Sequence, residues 1–235
     1  MTRLRSILFL LWFYAVSVPM ALLYLLLLAM PRRVLMRAIK FWGRLHMCAL
    51  WVICGIKVEV RGLERLPPGP ALVAAKHQSM FDFIGPFVFL PDACFVLKRE
   101  LLRIPVFGWL VGKAHMIPID RSGQASALKA MVRAARDRLR EDRQVLIFPE
   151  GTRMPPGAPP DYKPGVAALY RELGLPCMPM ATNSGVHWVN KGVYYPPGRL
   201  VFELLEPIPA GLKRAEFMRE LEQRIETASA RLLSE

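Results

Sequence analysis

Short stretches of apolar and β-branched residues recur along the chain from residue 57 onward, and more polar segments separate them. Stretches of this length, bounded by turn residues, are typical of β-strands that are buried on both faces. The predicted strands are 57–60, 71–75, 94–97, 116–119, 145–148, 177–181 and 200–205. Together they predict a largely buried sheet.

Helical patterns occupy part of the sequence between these strands. Residues 126–140 have apolar side chains at helical spacing and five Lys or Arg residues on the other faces. Residues 163–174 open with Pro164 near a helix start and close on Gly174, a frequent helix stop. Residues 216–233 form the last predicted helix. The alternation predicts an α/β fold with a mixed central sheet flanked by helices.

The amino-terminal quarter of the chain has a different pattern. Residues 7–30 are 24 consecutive positions without a formal charge, whereas about 20 suffice for a helix to cross a bilayer core. This segment is too long for the apolar region of a signal peptide, so we expect it to be retained. Pro19 should kink or break its helix. Residues 34–55 continue as a basic, aromatic-rich amphipathic helix.

The charges around this region leave two membrane arrangements open, because basic residues flank it at both ends. One is a single span with the larger positive cluster, and the catalytic domain, inside the cell. The other, which we favour, is a helical hairpin within one leaflet with both ends cytoplasmic. A buried helix of a soluble protein is disfavoured because the segment is apolar all round. We expect membrane-anchoring helices in residues 1–56 and a catalytic domain in residues 57–235.

The charge and the cysteine content of the chain limit which binding partners and which kinds of site are expected. The formal net charge is +13, and residues 1–60 contain eight Lys or Arg residues but only one acidic residue, Glu59. These basic residues flank apolar segments instead of forming aromatic-interleaved patches, so anionic lipid headgroups are favoured over nucleic acid. The four cysteines show neither a C-x-x-C pair nor metal-ligand spacing, which argues against a disulfide framework or a zinc site.

His77 and Asp82 follow the predicted strand 71–75, in the run K-H-Q-S-M-F-D. The carboxyl ends of strands in α/β folds are where ligands bind. The two side chains can meet only if His77 precedes a helix and Asp82 lies in its first turns. Asp82 would then accept a hydrogen bond from one imidazole nitrogen, leaving the other free to take a proton from an alcohol. Ser79 is a rival candidate as a hydrolase nucleophile, but it lacks the G-x-S-x-G context.

A second motif, F-P-E-G-T-R at 148–153, follows the predicted strand 145–148. Gly151 permits a tight turn with exposed backbone N–H groups, Thr152 offers a hydroxyl, and Arg153 offers a planar fork for a phosphate. Glu150 is unexpected beside a phosphate, and we expect it to orient Arg153 or to bind a glycerol hydroxyl.

The segment 112–121 has a similar arrangement, because a short predicted strand places Asp120 and Arg121 at an end of the sheet. Arg121 could share the phosphate with Arg153. On these residues alone, a surface turn explains the Asp120–Arg121 pair equally well.

Four ordered blocks of the sequence resemble those of the glycerolipid acyltransferases. They are H-x-x-x-x-D at 77–82, the I-D-R that ends at Arg121, F-P-E-G-T-R at 148–153 and L-P-C-M-P-M at 175–180. The chain is most similar to the bacterial 1-acyl-glycerol-3-phosphate acyltransferases, and the resemblance spans roughly residues 55–210.

This resemblance implies a role for each block. His77 would be the general base and Asp82 its orienting partner. The acceptor phosphate would be held by Glu150, Gly151, Thr152 and Arg153, together with Arg121. The reaction would join an acyl chain from acyl-CoA or acyl-carrier protein to the free hydroxyl of lysophosphatidate, at the cytoplasmic face of the inner membrane.

No metal or other cofactor is expected, because a thioester is already activated. Two alternatives remain open at this point. The acceptor could be another lysolipid, such as a lysophospholipid or an amino-acid lipid. The chain could also be a membrane protein that binds acidic lipid without turnover, although such a protein has no need of the His77–Asp82 pair.

Overall fold

The computed structural model describes residues 1–120, 123–189 and 192–235. The strands are β1 Ile56–Arg61, β2 Ala71–Ala75, β3 Ala93–Lys98, β4 Ile117–Ile119, β5 Gln144–Ile147, β6 Cys177–Thr182 and β7 Gly198–Leu204. The helices are α1 Thr2–Tyr24, α2 Arg32–Ala49, α3 Phe81–Phe89, α4 Phe107–Lys113, α5 Gln124–Leu139, α6 Gly165–Leu173, α7 Ser184–His187 and α8 Arg214–Leu233. Every strand predicted from the sequence is present, with its ends shifted by at most two residues.

The strands form a seven-stranded sheet in the order β1-β7-β6-β2-β5-β3-β4. Strands β6, β2, β5, β3 and β4 are parallel, whereas β7 is antiparallel to β6 and β1 is parallel to β7. The sheet is therefore mixed, as predicted. All residues of β2, β5 and β6 are buried, which explains why these strands read as continuous apolar runs without alternation.

The helices cover both faces of the sheet. Phe202 on β7 stacks on Phe81 of α3, whereas its neighbour Val201 packs against Ala228 and Leu232 of α8. Successive strand residues point to opposite faces, so α3 and α8 lie on opposite sides of the sheet. Helix α2 packs outside α3, and α5 and α6 lie in the same layer as α8.

Helices α1 and α2 form an antiparallel hairpin. The Tyr24 hydroxyl donates to the carbonyl of Ala38 (2.7 Å) near the turn, and the Cys54 thiol lies 3.7 Å from the carbonyl of Arg5 at the open end. Helix α1 continues through Pro19, so the expected break is absent. A proline removes only one N–H donor, and packing on α2 supports the helix around it.

The hairpin is attached to the sheet domain at both ends. Near its turn, Arg32 makes two hydrogen bonds of 2.9 and 2.7 Å to Asp92. At its open end, Phe9 packs edge-on against Trp188 and Tyr195. The outward side of α1 remains apolar and exposed, and the segment Thr2–Ala29 is long and apolar enough to cross a membrane by length and composition.

Candidate active site

The predicted site residues gather where the parallel strands end. Strands β2 and β5 are neighbours, and Ala74 pairs with Ile147. His77 and Glu150 each lie three residues beyond these partners, so the two sequence motifs meet at one edge of the sheet. Ligand sites in α/β proteins are found at this edge.

The predicted geometry of the His77–Asp82 pair is present. His77 precedes α3, and Asp82 is the second residue of that helix. The Nδ1 atom of His77 lies 3.1 Å from Oδ2 of Asp82, whose side chain is buried. The same Oδ2 accepts the backbone N–H groups of Gln78 (2.6 Å) and Ser79 (2.8 Å). The backbone of the turn thereby fixes the carboxylate.

This contact determines which imidazole nitrogen can act as a base. An ionised carboxylate only accepts hydrogen bonds, so Nδ1 carries the proton and Nε2 presents its lone pair. Within the part of the chain that the structure describes, Nε2 has no hydrogen-bond partner. The ring stacks on Phe148 at a centroid distance of 4.0 Å, which fixes its plane. The His77 side chain is 16% exposed and therefore accessible to a substrate.

Ser79 is not arranged as a nucleophile. Its hydroxyl accepts the N–H of Phe81 (3.1 Å), the first residue of α3, and donates to the hydroxyl of Ser184 (2.9 Å). The Ser79 side chain is buried. Ser79 therefore stabilises the start of the helix, and it is not available as the nucleophile of a hydrolase.

The E-G-T-R loop is joined directly to His77. Met154 donates its N–H to the carbonyl of His77 (2.8 Å). Gly151 has φ +67°, the left-handed conformation expected of a glycine turn. Its N–H donates to the carbonyl of Phe148 (3.0 Å). This N–H is therefore not available to a phosphate, contrary to the prediction. Thr152 and Arg153 are exposed beside His77, where an anionic ligand can reach them.

Glu150 occupies a different environment from the one predicted. Its side chain is fully buried, with Oε1 2.6 Å from Nζ of Lys76 and Oε2 accepting the N–H of His77 at 3.1 Å. Burial raises the pKa of Glu150, and the hydrogen bond from Lys76 opposes that rise. Since both oxygens are engaged inside the protein, we assign Glu150 to the support of His77 and not to contact with a glycerol hydroxyl.

The second predicted arginine cannot be placed. Arg121 lies outside the described residues. Asp120, just before it, is at the same sheet edge after β4, and its carboxylate is 3.8 Å from the guanidinium of Arg99. Strand β4 is two strands from β5, or about 10 Å at the usual spacing of strands. A phosphate shared by Arg121 and Arg153 thus stays a prediction.

Sequence reasoning missed three polar residues behind the site. Lys76 is buried although it directly precedes His77, and it bonds Glu226 of α8 as well as Glu150. The Tyr162 hydroxyl donates to Glu226 at 2.8 Å. The only available signal was a lysine immediately after the apolar run of β2; its two partners are 74 and 150 residues away.

Comparisons with known proteins show which family the chain resembles. Residues 57–183 match the family described as Acyltransferase. A 1-acyl-sn-glycerol-3-phosphate acyltransferase of Pseudomonas aeruginosa is 36% identical over 194 residues, which are 83% of this chain and 76% of that protein. The 1-acyl-sn-glycerol-3-phosphate acyltransferase alpha of Mus musculus is 35% identical over 158 residues, 66% of this chain and 55% of that protein. This chain thus spans little more than half of the mouse relative.

A solved structure has the same fold. The crystal structure of the 1-acyl-sn-glycerophosphate (LPA) acyltransferase PlsC from Thermotoga maritima superposes with a TM-score of 0.79 and covers 99% of both chains. The sequence identity is 22%. The predicted fold class, a mixed sheet flanked by helices after an apolar amino-terminal helix, is confirmed.

Proposed function

The chain belongs to the acyltransferase family, and we propose that it acylates the free hydroxyl of 1-acyl-glycerol-3-phosphate to form phosphatidate. The observation that carries this proposal is the His77–Asp82 pair beside the exposed Thr152–Arg153 turn. A base with a free Nε2 suits an alcohol, and an exposed guanidinium suits a phosphate monoester. The names of the relatives from Pseudomonas and mouse support the same acceptor.

In the proposed mechanism, Nε2 of His77 takes the proton of the acceptor hydroxyl as its oxygen attacks the thioester carbonyl. The new ester C–O bond forms and the C–S bond breaks. The imidazolium, stabilised by Asp82, then returns its proton to the departing thiolate. The thioester of acyl-CoA or acyl-carrier protein is already activated, so this route uses no metal or other cofactor. Base catalysis of this kind contributes about 10²–10⁴-fold.

The hairpin supplies the membrane contact in this proposal. Its outward face carries exposed apolar residues along α1 and the exposed basic residues Arg33, Arg37 and Arg44 on α2. Both ends of the hairpin lie together, which favours insertion into one leaflet from the cytoplasmic side over a single span. Membrane-impermeant labelling of a Thr2→Cys, Cys48→Ser variant tests this. Labelling from the cytoplasmic side supports the hairpin, and labelling only from the opposite side supports the span.

The catalytic proposal is tested with purified protein by following thiol release and lipid products. Wild type should release thiol from acyl-CoA only when lysophosphatidate is present. His77→Ala should lose transfer while binding vesicles as wild type does, and Ser79→Ala should keep most of its activity. Substantial transfer by His77→Ala would contradict the base assignment.

A panel of lysolipids with one acyl donor distinguishes the acceptor. Preference for a lysophospholipid or an amino-acid lipid would contradict lysophosphatidate as the acceptor and identify the preferred lipid in its place. A protein that bound acidic lipid but never released thiol would be the non-catalytic alternative.

A further inference from the structure

A buried cluster of ionisable groups lies directly behind His77. The cluster consists of Lys76, Glu150, Glu226 and Tyr162. The ammonium of Lys76 is 2.6 Å from Oε1 of Glu150 and 2.8 and 2.9 Å from the two oxygens of Glu226. The side chains of Lys76 and Glu150 are 2% and 0% exposed, and that of Glu226 is 26% exposed. This Lys76 cluster thus joins three distant segments of the chain.

The Lys76 cluster is connected to the backbone of the catalytic histidine. Glu150 receives the N–H of His77 on the oxygen that Lys76 does not occupy (3.1 Å). Met154, four residues after Glu150, donates to the carbonyl of the same histidine. Both backbone polar groups of His77 are therefore held by the segment that carries Glu150, while Asp82 holds the ring from the α3 side. The position of the base depends on where Glu150 lies.

Charge pairing makes Lys76 essential to that position. A buried carboxylate without a partner is unfavourable, and removing one member of a buried pair leaves the other charge uncompensated. All three N–H groups of Lys76 have acceptors within the cluster. Glu226 in turn ties Lys76 to α8, and Tyr162 adds a hydrogen bond from the segment that follows the E-G-T-R turn.

We propose that Lys76 and Glu226 are positioning residues that hold Glu150, and through it the backbone of His77, in the geometry for base catalysis. The carboxy-terminal helix α8 is then part of the support of the active site, although it touches no substrate. This inference rests on the proposed function, since it concerns the rate of that reaction.

The test compares Lys76→Met, Glu150→Gln, the double variant Lys76→Met/Glu150→Gln and Glu226→Gln. In the double variant no buried charge is left unpaired at these two positions, and the carbonyl oxygen of Gln at 150 can still accept the N–H of His77. We expect Lys76→Met to lower kcat by about 10- to 100-fold with little change in KM for the acceptor, because a displacement of about 1 Å suffices. The kcat of the double variant should be at least about fivefold higher than that of Lys76→Met. Coupling of this size is characteristic of groups in direct contact.

A pH profile separates positioning from simple loss of folded protein. Without the ammonium of Lys76, burial raises the pKa of Glu150 further, so the carboxylate is protonated to a higher pH. The groups that face it from the neighbouring elements are Glu226 on α8, the hydroxyl of Tyr162 and the N–H of His77. Protonation makes Glu150 neutral, as Gln is in the double variant, so the kcat of Lys76→Met should recover relative to wild type as the pH falls through this raised pKa, and the double variant should not show this change.

Matched controls are Lys129→Met, an exposed lysine on α5, and Glu216→Gln, an exposed glutamate on α8. Both should behave as wild type, and Glu226→Gln should lie between wild type and Lys76→Met because Glu226 is partly exposed. The inference is wrong if folded Lys76→Met keeps wild-type kcat and pH dependence, or if the double variant is no better than the single ones. Failure of the wild type to transfer at all would instead contradict the proposed function.

Discussion

Replacing Asp82 with Asn separates its charge from its hydrogen bonds. Oδ2 of Asp82 accepts three hydrogen bonds, two of them from backbone N–H groups of the turn. The carbonyl oxygen of Asn at 82 can keep the two backbone bonds. The variant loses the negative charge that stabilises the imidazolium. In the flipped orientation the amide nitrogen would instead donate to Nδ1, which would place the proton on Nε2 and remove the base, at the cost of the two backbone bonds.

The contacts of Asp82 indicate how its two variants should differ in stability. Asp82 Oδ1 is buried without a hydrogen-bond partner among the described residues, so an amide nitrogen placed there would be unsatisfied and destabilise the fold by about 1–3 kcal/mol. Asp82→Ala leaves the N–H groups of Gln78 and Ser79 without their acceptor, a loss of about 1–3 kcal/mol for each. Alanine should therefore be the less stable variant. Both should lose about 10²–10⁴-fold in kcat, the usual contribution of a general base.

The assay pairs thiol release in the presence of lysophosphatidate with urea unfolding of the same samples. Asp137→Asn, a half-exposed residue of α5, serves as the control. If Asp82→Asn retains more than about a tenth of wild-type kcat while folded, the charge of Asp82 does not orient or stabilise the imidazolium, and the assignment of the pair is refuted.

Two further predictions follow from the contacts at opposite edges of the sheet. Arg153→Met should raise KM for lysophosphatidate by about 10- to 100-fold, because it removes a charge-assisted hydrogen bond to the phosphate. KM for the acyl donor should stay near wild type, and equal changes in the two KM values would refute a phosphate role. Asp92→Asn should lower the free energy of unfolding by about 3 kcal/mol, because Asp92 pairs with Arg32 and with the fully buried Arg143. Urea unfolding measures this loss, and a change below about 1 kcal/mol would show that the network does not hold the hairpin.

The fold was predictable because its strongest signals are local. The runs that became β2, β5 and β6 are short, apolar and bounded by turn residues, so the sequence alone locates them to within two residues. Helix α3 was anticipated only through chemistry, since His77 and Asp82 can meet only if a helix begins between them. Helix α4 has no comparable signal and was missed; it contains seven residues, two of them glycine.

The detailed contacts of the site were predictable only where the contacting residues are near in sequence. Asp82 lies five positions after His77, and geometry limits how the two side chains can pair. Glu150 was misjudged because its partners are Lys76, 74 residues earlier, and the N–H of His77, 73 residues earlier. Contacts at that separation depend on which strands become neighbours, and the sequence pattern does not specify the order β6-β2-β5. The chemical type of Glu150 suggested a ligand contact, whereas its burial shows a supporting role.

The packing around α3 connects the proposed membrane contact to the His77–Asp82 pair. Phe9 of the hairpin packs on Trp188, Trp188 stacks on Phe81 at 5.6 Å, and Phe81 directly precedes Asp82. The open end of the hairpin therefore lies on the same edge of the sheet as the candidate catalytic site. The exposed Arg3 and Arg5 at that end suit the level of anionic headgroups. A lysolipid hydroxyl also lies at headgroup level, so in the proposed reaction an anchor attached at this edge would let His77 reach the acceptor without extracting the acyl chain from the bilayer.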